Sequence, residues 1–363
     1  MPMPDQVSEA AVLKALSAVQ DPDLRRDIVS LGFVKQLAID GSRVSFSIEL
    51  TTPACPVKDQ MRDLATAAVR QLPGVTDVDV TMTAAVRAAA MPDAARAAVP
   101  GVRNIIAVGA GKGGVGKTTV AVNVAMALAR RGSRVGVLDG DIYGPNVPIM
   151  LGLQTQLTTD GRKIVPAEKY ELQVVSMGFL TSDDSAVIWR GPMLHGAIQQ
   201  FFREVAWNDL DYLIVDMPPG TGDVALSLAQ TVPVSGAIVV TTPQVVSLAD
   251  TRRAVRMYQK LNIRTLGVVE NMSYFACPGC GTESDIFGRG AASSLARELD
   301  VPFLGSIPIY QPIREGGDRG EPIVAAEADS AAAQAFFSVA EQAAAQVSIA
   351  SFARSAIPLT VVP

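Results

Sequence analysis

Gly111-Lys112-Gly113-Gly114-Val115-Gly116-Lys117-Thr118, followed by Thr119, has the spacing G-x-x-x-x-G-K-[ST]. Glycines at these positions let the backbone curl so that successive N–H groups face phosphate oxygens. An apolar run, Ile105–Val108, precedes the loop, and a helix-forming run starts near Lys117, adding its dipole to the same site. The pattern predicts binding of ATP with Mg²⁺: Lys117 on the β- and γ-phosphates, and the Thr118 hydroxyl on the metal. Lys112 is a second lysine that a phosphate loop does not need. It reads either as a solvated loop lysine or as a cation that reaches the nucleotide of a partner subunit, as an arginine finger does.

A Mg·ATP site also needs carboxylates, and open α/β sheets bind ligands beyond strand C-termini. Asp216 ends the run YLIVD and is expected in the Mg²⁺ shell. Asp139 and Asp141 end VGVLDGD; Asp141, further into the loop, is expected to orient the attacking water, with Asp139 structural or accessory. Asp223 reads as a helix N-cap in preference to a switch residue.

Three cysteines are present, Cys55, Cys277 and Cys280, which is no disulfide framework. Cys277-Pro278-Gly279-Cys280 has three readings. A redox pair normally sits beside a thioredoxin-like unit, absent here. A structural zinc site or an iron–sulfur cluster wants four ligands, and one chain offers two thiols. A two-fold dimer axis would bring four together, so a metal at this pair implies a homodimer. Cys55, in TTPACP, reads as a small buried side chain or as a thiolate at a helix N-terminus. His195, the only histidine, is assigned no role.

Two sets of elements must hold these residues. Residues 7–18 and 56–72 read as helices, and 32–39, 43–50 and 75–82 as strands, giving a small α+β domain over 1–84. Residues 85–101, rich in Ala with Pro92 and Pro100, read as a linker. From 102 to 346 strands and helices alternate. Strands are expected at 105–108, 135–138, 212–215, 237–241, 266–269 and 303–307. Helices are expected at 117–130, 246–261, 290–299 and 329–346, and near 192–205 and 223–231. Continuous apolar strands alternating with helices imply an α/β fold, a P-loop NTPase with a mostly parallel, doubly wound sheet covered on both faces. Residues 347–363 read as a loose tail.

The 363 residues suit two domains. Apolar residues make up 48% and aromatics 5%, so the core is mostly aliphatic. A net charge of −5 argues against nucleic-acid or anionic-membrane partners. No apolar run suits a membrane span, and the first residues show no secretory pattern, so the expected location is cytoplasmic.

KGGVGKTT resembles the deviant phosphate loop of the MinD/ParA/nitrogenase-iron-protein class. DGDIYGPNVP (139–148), RGPM (190–193), DYLIVDMPPGTGD (211–223), VVENMSYFACPGCG (268–281) and GSIPIYQPIREGGDRGEP (305–322) narrow it: the chain resembles the Mrp/ApbC iron–sulfur cluster carriers. TTPACP and its helix resemble the PaaD-like domain that precedes many of them. The resemblance implies a slow ATP hydrolase that holds a labile [4Fe–4S] cluster between two subunits. It receives the cluster from donors and passes it to apoproteins. It implies Cys277 and Cys280 as cluster ligands, Lys112 as the signature lysine, Lys117, Thr118, Asp141 and Asp216 in the roles above, and Asn271 near the adenine. Three other functions stand beside it. A positioning ATPase would carry a basic tail or surface. An electron-donating ATPase like the nitrogenase iron protein has its cluster cysteines far apart in sequence. The third is a zinc-bridged scaffold.

Overall fold

The computed structural model describes residues 7–88, 98–141, 144–155, 157–161, 163–180, 196, 199–220, 234–277 and 279–355. The chain divides into two compact units, one from residues 1–87 and 348–363, the other from 88–347.

In the first unit, helix α1 (Glu9–Leu16) is followed by strands β1 (Val34–Asp40) and β2 (Arg43–Leu50), helix α2 (Lys58–Arg70) and strand β3 (Asp77–Ala84). Strands β1 and β2 form an antiparallel hairpin, and β2 pairs in parallel with β3 after the α2 crossover. The alternation in β2 puts Val44, Phe46, Ile48 and Leu50 into a core with Met61, Ala65 and Val69, which recur at i, i+4 and i+8 on α2. The last described residues join this unit: Phe352 packs edge-on to Phe33, with ring centroids 6.0 Å apart.

The second unit begins earlier than its first strand, because Val99 is already buried in its core. Strand β4 (Val102–Ala110) leads through the glycine-rich loop to α3 (Lys117–Arg130), then β5 (Val135–Asp139). A short excursion returns as β6 (Ala167–Lys169) and β7 (Leu172–Ser176). Strand β8 (Leu210–Asp216), β9 (Gly236–Thr241), helix α4 (Val245–Lys260), β10 (Thr265–Glu270), α5 (Ala291–Glu298) and β11 (Phe303–Ser306) follow, then α6 (Gln311–Arg319) and α7 (Ala331–Ser355). The sheet order is β6-β7-β5-β8-β4-β9-β10-β11. Every pairing is parallel except the β6–β7 edge. Strands β5, β8, β9 and β10 are buried along their whole length, which is why they read as unbroken apolar runs.

The chain runs from β4 out past β8 to β5 and β7, comes back to insert β8, and continues on β4's other side with β9. The strand order therefore reverses at β4, and such reversals open a crevice at the strand C-termini. The loop 111–118 leaves β4 at that point.

Three elements depart from expectation. The expected loose tail is helical to Ser355: α7 runs on through VSIASFARS. The strand Leu172–Ser176 and the helix Gln311–Arg319 were not expected at all. The helix expected near 223–231 lies outside the described residues; of the one expected near 192–205, residues 196 and 199–203 are helical, and 192–195 and 197–198 lie outside the described residues.

Candidate functional site

Gly116 takes a left-handed conformation, φ 79°, and caps α3. A Cβ there would come 2.2 Å from Asn271 Nδ2, so the position needs glycine for conformation and for space. Asn271, at the exit of β10, donates from that Nδ2 to the Val115 carbonyl at 2.9 Å. At the start of the loop, a Cβ on Gly111 would come 2.2 Å from the Asp250 carbonyl carbon of α4. Strand, loop and two neighbouring elements are thus fitted together at glycine distance.

Lys117 is 7% exposed, and its Nζ lies 2.6 Å from Asp216 Oδ1 and 3.7 Å from Asp141 Oδ2. The Thr118 hydroxyl donates to Asp216 Oδ2 at 2.7 Å. Parallel pairing of β8 with both β4 and β5 carries Asp216 to this place, opposite Val108 and Asp139. Burial raises the pKa of Asp216, with Lys117 and Thr118 working against the rise.

Asp139 is fully buried and its oxygens are taken up locally. One accepts from the Asp141 amide at 3.2 Å; the other accepts from the Val147 amide at 3.2 Å and the Ser176 hydroxyl at 3.0 Å. Burial and then the Asp216 charge push its pKa up to about 7. Asp139 therefore braces the loop after β5, and Asp141 is the carboxylate of the two that lines the cavity.

That cavity is about 560 Å³, within the range of small-ligand sites. Gly113, Gly114 and Thr119 line it with Lys117 and Thr118, and Lys112 sits half-buried at its wall without an ion pair to a described residue. Met272, Phe287, Tyr310 and Ile313 supply apolar surface. Met272, Tyr310 and Ile313 lie inside segments singled out in the sequence and Phe287 does not, and nothing in the spacing of the four marked them as lining. The same holds for Ser176, 37 residues from the carboxylate it supports.

The donor set fits Mg²⁺. A hydroxyl and a carboxylate converge within 2.7 Å, with a second carboxylate beside the same lysine. Hard oxygen ligands of this kind suit that ion. Lys117's ammonium now sits against the carboxylates, the place a cation favours.

Cys277 and Cys280 sit at the tip of a small hairpin whose strands, Phe275–Ala276 and Glu283–Ser284, pair antiparallel. The Cys277 amide donates to the Thr282 carbonyl at 3.0 Å, and the Gly281 amide to the Cys277 carbonyl at 2.8 Å. Cys277 is half-buried and Cys280 exposed. The Thr282 hydroxyl, 3.2 Å from Cys280 Sγ, leads the contacts that lower the Cys280 thiol below its usual range. Arg289 braces the hairpin, lying 4.3 Å over the Tyr274 ring and paired with Glu283. Among the described residues no group of three or more His, Cys, Asp or Glu could hold a metal, so among those residues the two thiols have no third ligand of these types beside them. Cys55 is half-buried against the core of the first unit. His195 and Asp223 lie outside the described residues.

Residues 101–344 match the sequence model described as NUBPL iron-transfer P-loop NTPase. The chain belongs to that family. Residues 9–82 match a second model, described as iron-sulfur cluster assembly protein. An iron-sulfur cluster carrier protein of Synechocystis sp. is 50% identical over 348 residues, 94% of this chain and 98% of the relative. Among solved structures, a nucleotide-binding protein from Archaeoglobus fulgidus in complex with ADP is 36% identical with a TM-score of 0.58, covering 66% of this chain and 93% of that one. The Pyrococcus furiosus cell division ATPase MinD is 27% identical with a TM-score of 0.52, covering 66% and 97%. The P-loop NTPase fold expected for the second unit is thereby borne out. Among the described residues no helix is long and apolar enough to cross a membrane.

Proposed function

We propose that this protein is an ATP-dependent iron–sulfur cluster carrier. Two copies hold one labile [4Fe–4S] cluster as cargo between their Cys277–Cys280 pairs, receive it from a donor, and pass it to apoproteins. The observation that carries this reading is the isolated thiol pair on an exposed hairpin tip, in one chain with a phosphate-loop cavity. Two thiolates are half of what such a cluster needs, and a two-fold axis supplies the rest. The relatives' names support the same cargo.

ATP binds with its phosphates on the amides of 111–118. The entering phosphates draw Lys117 away from Asp216, which frees that carboxylate. Thr118 and Asp216 would then hold Mg²⁺, whose charge offsets that of the phosphate oxygens. Asp141 orients the attacking water, and Asn271 borders the base. Lys112 of each copy reaches the partner's nucleotide, so hydrolysis and dimer geometry are linked. Cargo held by two chains leaves when they separate, which suits a carrier located in the cytoplasm.

The test is anaerobic reconstitution with iron and sulfide on the native chain and on Cys277→Ala/Cys280→Ala, read by Mössbauer spectra and metal stoichiometry. One [4Fe–4S] per dimer, absent from the double variant, is expected. No cluster, a zinc-only site, or a cluster that survives the double variant overturns the reading.

A further inference from the structure

The chain between β10 and α5, residues 271–290, leaves the sheet at the nucleotide cavity and returns to it. Asn271 and Met272 line the cavity at the start of this excursion and Phe287 near its end. The cysteine hairpin lies between them. Met272 is in the left-handed region, φ 54°, a conformation that a long side chain adopts only when its surroundings hold it there.

Both ends of the excursion are tied to one side chain. Glu270, the last residue of β10, is fully buried and has no lysine or arginine among its described partners. Its Oε1 accepts from the Ser273 hydroxyl, on the outgoing side, and from the Gly290 amide at 2.8 Å, on the returning side. Its Oε2 accepts from the Ala292 amide at 2.7 Å, in the first turn of α5. Three donors and the positive end of a helix hold a buried carboxylate in place of a counter-ion. The backbone of Glu270 is also engaged: its carbonyl accepts from the Ile307 amide at 2.8 Å.

We infer that Glu270 is a positioning residue that couples nucleotide occupancy to the cysteine pair. A nucleotide in the cavity touches the excursion where it departs, at Asn271 and Met272, and where it comes back, at Phe287. With the base of the excursion clamped on one carboxylate, a displacement at either wall moves the hairpin between them as a unit. Without the clamp, the two ends shift independently and the displacement is lost in the loop. The inference rests on the proposed carrier reading for its purpose. Its test needs no cluster, so either can fail while the other stands.

The test measures the rate at which a chromogenic disulfide reagent modifies Cys277 and Cys280 in metal-free protein, with and without Mg²⁺ and a non-hydrolysable ATP analogue. A Cys55→Ser background removes the third thiol. The native rate is expected to change about fivefold with nucleotide, at the low end of ordinary coupling between sites. In Glu270→Gln, whose amide turns a donor toward one of the three donors, the ratio falls to about one. Binding of a fluorescent nucleotide stays within about twofold, because Glu270 itself does not line the cavity. An unchanged ratio in Glu270→Gln, or no nucleotide effect in the native background, overturns the inference. Hydrogen exchange on the native chain tests it without any variant. Nucleotide should change the protection of the Gly290 and Ala292 amides together with those of Cys277 and Gly281. A response at the hairpin amides alone overturns it.

Discussion

Replacing Lys117 by Met keeps most of the side-chain stem and removes the charge. In the nucleotide-free protein this leaves Asp216, fully buried, with the Thr118 hydroxyl but without the ammonium that lies 2.6 Å away. Removing one partner of a buried pair costs about 3–5 kcal/mol, since the surviving charge keeps its desolvation penalty. For a unit of this size each kcal/mol is worth roughly 2–4 °C in Tm, so the fall should be roughly 6–20 °C. The deficit must also depend on pH. Burial already holds the pKa of Asp216 above its ordinary value, and losing Lys117 raises it further. A carboxyl with a raised folded pKa binds its proton more tightly folded than unfolded. Stability therefore falls as pH rises from about 4 through the folded pKa. The variant's deficit is largest above the folded pKa and shrinks as both proteins protonate Asp216 on acidification. Calorimetry at pH 7.5 and pH 5.5 without nucleotide measures this. Adding Asp216→Asn should recover most of the loss, and the cycle isolates the pair. A variant as stable as the native chain at pH 7.5, or a deficit that grows toward pH 5.5, would refute the argument. The same variant should lose ATP hydrolysis, while reconstitution of its cluster is less affected.

Gly116→Ala forces a side chain into a left-handed position and against Asn271. Strain of about 1–3 kcal/mol plus the loss of the bond to Val115 should weaken nucleotide binding by at least about tenfold in a fluorescence titration. Asp141→Asn should cut ATP hydrolysis by about 10²-fold or more with nucleotide affinity retained, as a phosphate-release assay would show. Asp139→Asn should instead lower Tm, because Asp139 braces its loop by accepting three hydrogen bonds. Co-sedimentation with DNA and with anionic vesicles at about 0.15 M salt should leave the protein in the supernatant. Pelleting with either would favour a positioning ATPase.

Much of the P-loop unit was legible in its sequence. The phosphate loop is a local motif whose glycines, lysine and threonine are adjacent, and α3 spans 117–130 as its pattern predicts. Strands buried on both faces read as apolar runs, and Asp216 stands out because it ends one of them. Cys277 and Cys280 were visible as a pair, and so was the shortage of further ligands in the chain. Each of these features lies in consecutive residues, where propensity and spacing carry the signal.

What depended on distant residues had to wait for the fold. The helix Gln311–Arg319 reads as a loop because it contains two glycines. They are there for packing: Cβ atoms would meet the Glu321 carbonyl at 2.3 Å from Gly316 and the Met150 side chain at 3.2 Å from Gly317. Leu172–Ser176 is too short to announce itself and becomes a strand by pairing with β5. The last turns of α7 gain their order from Phe33 and other residues some 300 positions away in sequence. Asp139 and Asp141 are nearly equivalent on paper. Ser176 and Val147 separate them by engaging one carboxylate and leaving the other at the cavity. Glu270 passes unnoticed as a strand residue until the 20 residues after it return and place Gly290 and Ala292 on its oxygens. Sequence patterning reports which way a side chain faces; which atoms meet it there is settled only when separated segments close on one another.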